Sequence, residues 1–415
     1  MFRRARNALR KAMTRMCRPW WLRVATVVPV TLAVICLNGE WSAVAHPVSA
    51  LIVKSDETCP PDLNLAESSE SFIKSLRPGI DLTVSTLRQP LSPEATSRFP
   101  VAVVHYRWDN PQVRLETLLP GLPAPQPRPW LAAPSDSVSI INGDYFRSWG
   151  GGWHVPNAAV VHRSRPVFAP PGWSRVLASA HGERIRTTRV RYRSTLTSGG
   201  RSLRASALND PLVPRHVNVV FDAQWTLPVN LKDRWGVVLV NDVIYQVSPP
   251  GHRIRPPRES RVFTTTSARA ARGFRVGARA NLQWKLDVMD TMPLESASGH
   301  GGYVLHRGKL KPLCNEYENV ARPRTVVAWN SSGDAWLLVA GPGQPDRPDG
   351  LRVGGATKRQ LAGVASNLGA TEAVSLDGGG SSLLMARTSG EWRRFDNRAG
   401  AWLRPFPVGW SLNFR

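Results

Sequence analysis

Two short loops in this sequence hold residues that can do acid–base and anion chemistry. The first is Asp377-Gly378-Gly379-Gly380-Ser381-Ser382. Consecutive glycines reach backbone angles closed to other residues and leave the main chain open to a ligand. Successive N–H groups in such a turn can cradle an anion, and the two serines add hydroxyl donors. Asp377 ends an apolar run, so its carboxylate can turn into a cleft. A flexible Gly/Ser linker would not sit between two well-patterned elements with an acid at its mouth. The second loop is Asn142-Gly143-Asp144-Tyr145-Phe146. In extended backbone Asn142 and Asp144 share a face, and the two aromatic residues anchor the loop or wall a sugar site. Taken alone, this pentapeptide is equally an ordinary Asn-Gly turn. A third glycine-rich stretch, Ser298 to Gly302, carries His300, which can donate a proton, touch a sugar, or simply be solvated. There is no CxxC, no HExxH and no Cys/His cluster, so no metal or other cofactor is expected. Asn142, Asp144 and Asp377 could offer oxygens to Ca²⁺, a minor option without EF-hand spacing.

Strands and one helix must position these loops. Val138 to Ile141 is a short buried strand that runs into the Asn142 loop. Phe99 to Leu119 holds two extended patterns around Asp109-Asn110, which predicts a hairpin or a bent strand pair. Val217 to Phe221 is a strand. Val237 to Val240 and Val243 to Val247 flank Asn241-Asp242 as a tight hairpin. Phe274 to Asp287 is extended, and Thr325 to Trp329 and Trp336 to Ala340 flank the polar turn Asn330 to Asp334. Thr357 and Gln360 form a capping-box pattern. Leu361, Val364, Ala365 and Leu368 then follow the spacing of an amphipathic helix, with Gly369 as its stop. The strand Ala370 to Leu376 feeds Asp377, and Leu383 to Ala386 continues beyond the glycines. The fold class is α+β, with strand-rich mixed sheets and few helices.

The chain has 415 residues and a net charge of +24. Eight basic residues precede the 14-residue apolar run Val24 to Leu37, and Ala43-Val44-Ala45 follows. That order is a signal peptide over 1–45, too short in its apolar part to span a bilayer. Its removal leaves 370 residues with a charge of +17, since eight bases and Glu40 depart. The expected product is secreted, extracellular or wall-associated, and meets a membrane only during export. Residues 46–98, rich in Ser, Glu and Pro, read as a partly ordered N-terminal extension, and 99–415 as the main domain. The basic surface suits polyanions. Phosphorylated glycans or wall polymers are the expected partners rather than nucleic acid, because the charge is scattered instead of striped. Cys59 and Cys314 are the two cysteines left after export, which predicts one disulfide between them.

Together the loops resemble the phosphodiester glycosidase family. The family places an Asn-Gly-Gly/Asp-Phe/Tyr-Phe motif early, an Arg-Thr strand later, and Leu-Asp-Gly-Gly-Gly-Ser-Ser after a helix. Here these are Asn142 to Phe146, Arg324-Thr325, and Leu376 to Ser382, with Gly369-Ala370 before the last and Pro407 to Leu412 as the closing strand. The resemblance covers residues 99–415. Ala328 stands where the family tends to have Gly, and Ala340-Gly341 where an acid is common. The resemblance implies a hydrolase that cuts a sugar–phosphate linkage at the anomeric carbon, through an oxocarbenium-like transition state served by a carboxylate. It puts Asp377 first among the carboxylates. Asp144 is the second, with Glu372 as the alternative that strand parity disfavours. Arg324 holds the phosphate through its planar fork. Asn142, Gly378, Gly379, Gly380, Ser381, Ser382 and His300 contact substrate, and the N–H groups of Gly379 to Ser381 face the phosphate. A glycan-binding module without catalysis, or a phosphodiesterase that breaks P–O, would use the same residue types.

Overall fold

A computed structural model describes residues 71–92, 95–123, 128–148, 152–312, 320–342, 344–345, 355–395 and 404–415, all within the unit Thr58–Arg415. The expected signal segment and both Cys59 and Cys314 lie outside the described residues. Strands dominate, in several sheets, with few helices.

The largest sheet is nine-stranded and antiparallel along its main path. Its centre is built from Ala95–Arg107, Asp334–Ala340, Arg324–Trp329 and Glu372–Ser375, in that order. These strands read as near-continuous apolar runs because both of their faces are covered. One face packs on the helix Lys358–Asn367, with Phe99, Val326, Leu361 and Ala365 in the same core. The other faces a five-stranded sheet, and Trp329, Leu337, Ile141, Trp410 and Leu412 fill the space between. In that second sheet Ser137–Asn142 lies between Leu384–Thr388 and Gly409–Phe414, and Gly409–Phe414 also pairs with Val113–Leu118.

A seven-stranded sheet and a further five-stranded sheet share another core, formed by Val176, Val190, Tyr192, Val237, Phe263 and their neighbours. The seven-stranded sheet contains Ser174–Ser179, Arg186–Ser198, Asn281–Val288 and Ser296–Gly299. The further sheet contains the expected hairpin, Trp235–Val240 and Val243–Ser248. Asn241 and Asp242 both take positive φ, 49° and 58°, the pairing that a tight two-residue turn requires.

Local expectations and structure differ at three places. Of the two arrangements expected around Asp109-Asn110, the structure has the bend and not the hairpin. Ala95–Arg107 and Val113–Leu118 pair with different partners in different sheets, and the chain bends between them. Residues 71–92, inside the expected extension, form two strands of the nine-stranded sheet, so a boundary at residue 98 falls within a strand. Leu76, Ile80 and Leu82 supply enough apolar burial to hold that edge. The helix cap forms as expected, with Thr357 Oγ1 accepting from Gln360 N at 3.0 Å and Gln360 Oε1 from Thr357 N at 2.8 Å. Its buried stripe is Leu361, Ala362 and Ala365. Leu368, at the C-cap, is exposed.

Candidate functional site

Strand ends from three separate sheets meet at one place. Ser137–Asn142 delivers Gly143 and Asp144. Glu372–Ser375 delivers Leu376 and Asp377. Ser296–Gly299 brings bare backbone against the Asp144 carboxylate, where a Cβ on Gly299 would overlap it. The loops are fastened directly, since Asp377 N donates to Gly143 O at 3.0 Å.

Asn142 is the fastener. It is fully buried. Its Nδ2 donates to Asp377 O at 2.8 Å, and its Oδ1 accepts from Thr325 Oγ1 at 2.8 Å and from Leu383 N at 3.0 Å. Both ends of the amide are therefore spent on protein, which corrects the expectation that Asn142 contacts substrate. It is a positioning residue. Asn142→Ala would leave a buried N–H and a buried carbonyl unpaired, at a cost of about 2–4 kcal/mol. Chemical denaturation should show the midpoint falling accordingly, and an unchanged midpoint would refute this role.

The two carboxylates sit in unequal surroundings. Asp144 is 2% exposed. Its Oδ2 accepts from Ala158 N at 2.9 Å. Burial pushes its pKa up to about 7, the Asp377 charge adds to the rise, and backbone N–H groups oppose it. Asp377 keeps some access to solvent. Burial raises its pKa too, but the Ser381 hydroxyl, the Gly378 N–H (2.9 Å to Oδ1) and the charge of Arg404 favour its ionised form. Burial raises both acids, and it raises the more enclosed Asp144 further, so the two differ in how readily they give up a proton.

The glycine loop supports Asp377 more than it offers donors. Gly379–Ser381 is a single 3₁₀ turn, entered through Gly379 at φ 60°, a conformation that favours glycine. Gly379 N donates to Pro323 O at 2.8 Å and Ser381 N to Gly378 O at 3.2 Å. The expectation that both face a phosphate is thus corrected, because the turn consumes them. Ser381 and Ser382 point inward and are fully buried. The Ser381 hydroxyl lies against Asp377, although without a well-aligned hydrogen bond.

Cations flank the carboxylates. The Arg324 side chain runs along Gly378 and is largely buried. Its Nη2 donates to Val320 O at 2.8 Å, and Tyr145 feels its charge together with those of Asp377 and Asp144. Arg404 lies along Gly380 and stacks over the Phe146 ring at 4.7 Å. Phe146 in turn meets the His154 ring at 4.7 Å. Sequence reading missed Arg404, His154 and Gly299. Arg404 and His154 belong to no local motif, Gly299 lies in the glycine-rich stretch read for His300 alone, and only tertiary packing brings all three here.

The Phosphodiester glycosidase family model matches residues 236–412. No curated protein matches the sequence. Among solved structures, the chain shares its fold with a hypothetical protein from Synechocystis, at a TM-score of 0.61 and 18% identity, over 84% of this chain and 64% of that one. It also shares its fold with a candidate exported protein of Burkholderia pseudomallei K96243, at a TM-score of 0.63 and 15% identity, over 86% of this chain and 100% of that one. A weaker likeness, at a TM-score of 0.36 and 13% identity over 84% of this chain and 88% of that one, links it to the zebrafish N-acetylglucosamine-1-phosphodiester alpha-N-acetylglucosaminidase catalytic domain. The chain spans under two thirds of the Synechocystis protein.

The phosphodiester glycosidase segment supplies Arg324, Asp377 and Arg404, while Asn142 and Asp144 come from upstream of it. Two other residues fall elsewhere. His300 lies between Gly299 and Gly301, whose faces abut Asp144 and Tyr145, and strand alternation turns its ring into a separate hollow with Arg175 and Tyr303. It does not meet the carboxylates, which corrects its placement in this site. Glu372 binds His306 Nδ1 at 2.8 Å and Arg307 N at 3.1 Å, so it serves as an ion-pair anchor at the far end of its strand. Among the described residues no group of three His, Cys, Asp or Glu side chains is placed to hold a metal. The Ca²⁺ option further loses Asn142, whose oxygen is taken.

Proposed function

We propose that this chain hydrolyses the glycosidic C–O bond of a sugar-1-phosphodiester. The observation that carries the reading is a pair of carboxylates in unequal environments, set beside two guanidinium groups. Asp377, the more accessible member, acts in its carboxylate form at the anomeric carbon as nucleophile or as base for water. Asp144, buried and protonated, removes the repulsion that a second charge would impose. A phosphate is already a good leaving group, so cations aimed at it matter more than a strong acid. Arg324 and Arg404 serve there, and Tyr145 and Phe146 wall the sugar. The basic-then-apolar N-terminus ending in Ala43-Val44-Ala45 supports export, and a fold shared with a candidate exported protein agrees with it. The substrate class is then a phosphorylated glycan or an anionic wall or extracellular polymer.

The test is turnover of sugar-1-phosphodiesters in ¹⁸O water, followed by mass spectrometry. The label is expected in the sugar. Label in the phosphate would mean a P–O phosphodiesterase, and binding without turnover would mean a glycan-binding module. Arg324→Lys keeps the charge but loses the fork, so KM should rise roughly tenfold, and the loss of the buried bonds to Val320 O and Ala356 O should lower the melting temperature by a few degrees. An unchanged KM would remove Arg324 from the phosphate.

A further inference from the structure

The strand Arg186–Ser198 alternates cations with apolar residues. Val190, Tyr192 and Leu196 point into the core, so Arg189, Arg191 and Arg193 stand on the outer face of the seven-stranded sheet. Cross-strand register extends this ladder sideways. Arg175 lies directly opposite Arg189. Val176 pairs with Gly299, so the next position sets His300 beside Arg175. The result is a row of Arg189, Arg175 and His300 across three strands. It borders a hollow of about 380 Å³ that also includes Tyr303.

Like charges placed opposite each other on a sheet repel. Elsewhere on this face the chain supplies an acid: Asp287 pairs with Arg191 at 3.1 Å, Arg193 at 2.7 Å and Lys285 at 3.6 Å. Asp290 lines the hollow but is held by Arg186 at 3.1 Å. Among the described residues Arg175 and Arg189 have no ion-pair partner. His300 Nδ1 accepts from Gly302 N at 3.0 Å, which leaves Nε2 carrying the proton as a donor, and no protein acceptor meets it. With Asp290 neutralised by Arg186, five further cations stand against Asp287, and two of them face one hollow. Trp173, exposed and stacked under Arg191 at 4.7 Å, adds one flat apolar platform of the kind that sugar rings rest on.

We infer that this outer face binds phosphate groups of a polymeric glycan, with Arg175 and Arg189 as the anchoring pair. The inference rests on the reading of the substrate as a phosphodiester-linked sugar, and it adds a second phosphate subsite away from the cleaved bond. A glycan fits better than single-stranded nucleic acid, which calls for several free stacking faces along its track, whereas here Trp173 already carries Arg191 and the half-buried Tyr303 is tied to Thr187 through its hydroxyl. Position agrees, because the strand that carries Gly299 to Asp144 leads on to His300 at the hollow.

The test uses the mature chain carrying Asp377→Asn, so that binding is read without turnover. The probes are a polymer of hexoses joined by phosphodiesters, neutral dextran, and poly(dT), each followed by calorimetry at low and physiological salt. The phosphoglycan should bind in a salt-sensitive way and dextran should not. Adding Arg175→Ala with Arg189→Ala should weaken phosphoglycan binding roughly tenfold or more. Removing the same number of charges at Arg253, in the short strand Arg253–Ile254 of a different sheet, and at Arg255 just beyond it should change it much less. Equal losses from the two double variants would overturn the site, and poly(dT) bound as tightly as the phosphoglycan would overturn the glycan assignment. Failure of the wild-type chain to cleave any phosphodiester would reject the catalytic reading while leaving this binding result to stand or fall by itself.

Discussion

Asp144→Asn is expected to stabilise the protein at pH 8 by up to about 4 kcal/mol, and by nothing near pH 4. The carboxyl ionises near 3.8 when unfolded and near 7 in the fold. Folding therefore takes up a proton between those values. Stability falls as the pH rises through that window, and the loss is complete above it. Asparagine has no proton to lose and still accepts from Ala158 N. Denaturant titrations from pH 4 to 8 would measure the difference, and parallel curves would show that Asp144 is not held protonated. The same variant tests its part in catalysis. If Asp144 acts by staying neutral beside Asp377, the variant keeps activity within about tenfold at pH 6 and loses the alkaline decline of the wild type. Loss of about 10²–10⁴ at every pH, with the fold intact, would make Asp144 the proton donor itself.

Asp377→Asn should lower turnover of a sugar-1-phosphodiester by about 10³ or more, the scale expected when a group acting on the reacting centre is removed. The amide preserves the shape and can still accept from Gly378 N, so the melting temperature should stay within a few degrees and substrate should still bind. It lacks only the negative charge that an oxocarbenium-like centre needs. Single-turnover kinetics separate the two effects. A variant that keeps more than a tenth of wild-type turnover would move the chemistry to another group.

The carboxylates were legible in the sequence because each ends a short apolar strand beside residues that break one. The capping box of Thr357 and Gln360 and the Asn241-Asp242 turn were legible for the same reason, since their determinants lie within four residues. What could not be read was pairing over long separations. Ser137–Asn142 sits between Leu384–Thr388 and Gly409–Phe414, and no local pattern announces such partners. The bend at Asp109-Asn110 looks like a hairpin because strand alternation specifies a face, not a neighbour. The roles of Asn142 and of the glycine N–H groups went astray for a related reason. A motif shows which polar groups are available, but whether a ligand or the protein claims them depends on what packs nearby. Arg404 carries no signal in so arginine-rich a chain, and its role emerged only from its contact with Phe146 and its charge on Asp377.

The strand Gly409–Phe414 pairs at once with Val113–Leu118 and with Ser137–Asn142, both far upstream of it in the chain. A chain emerging from the ribosome in order cannot close this sheet until that late segment is free. Until then the strand leading to Asp144 lacks one neighbour, and Asp144 has no settled cleft to enter. Vectorial synthesis therefore yields a polypeptide that stays incompletely folded while it is made, the condition that a translocation channel demands. Pairing over such distances is also slow to find, so the carboxylate pair takes shape only as one of the last events of folding.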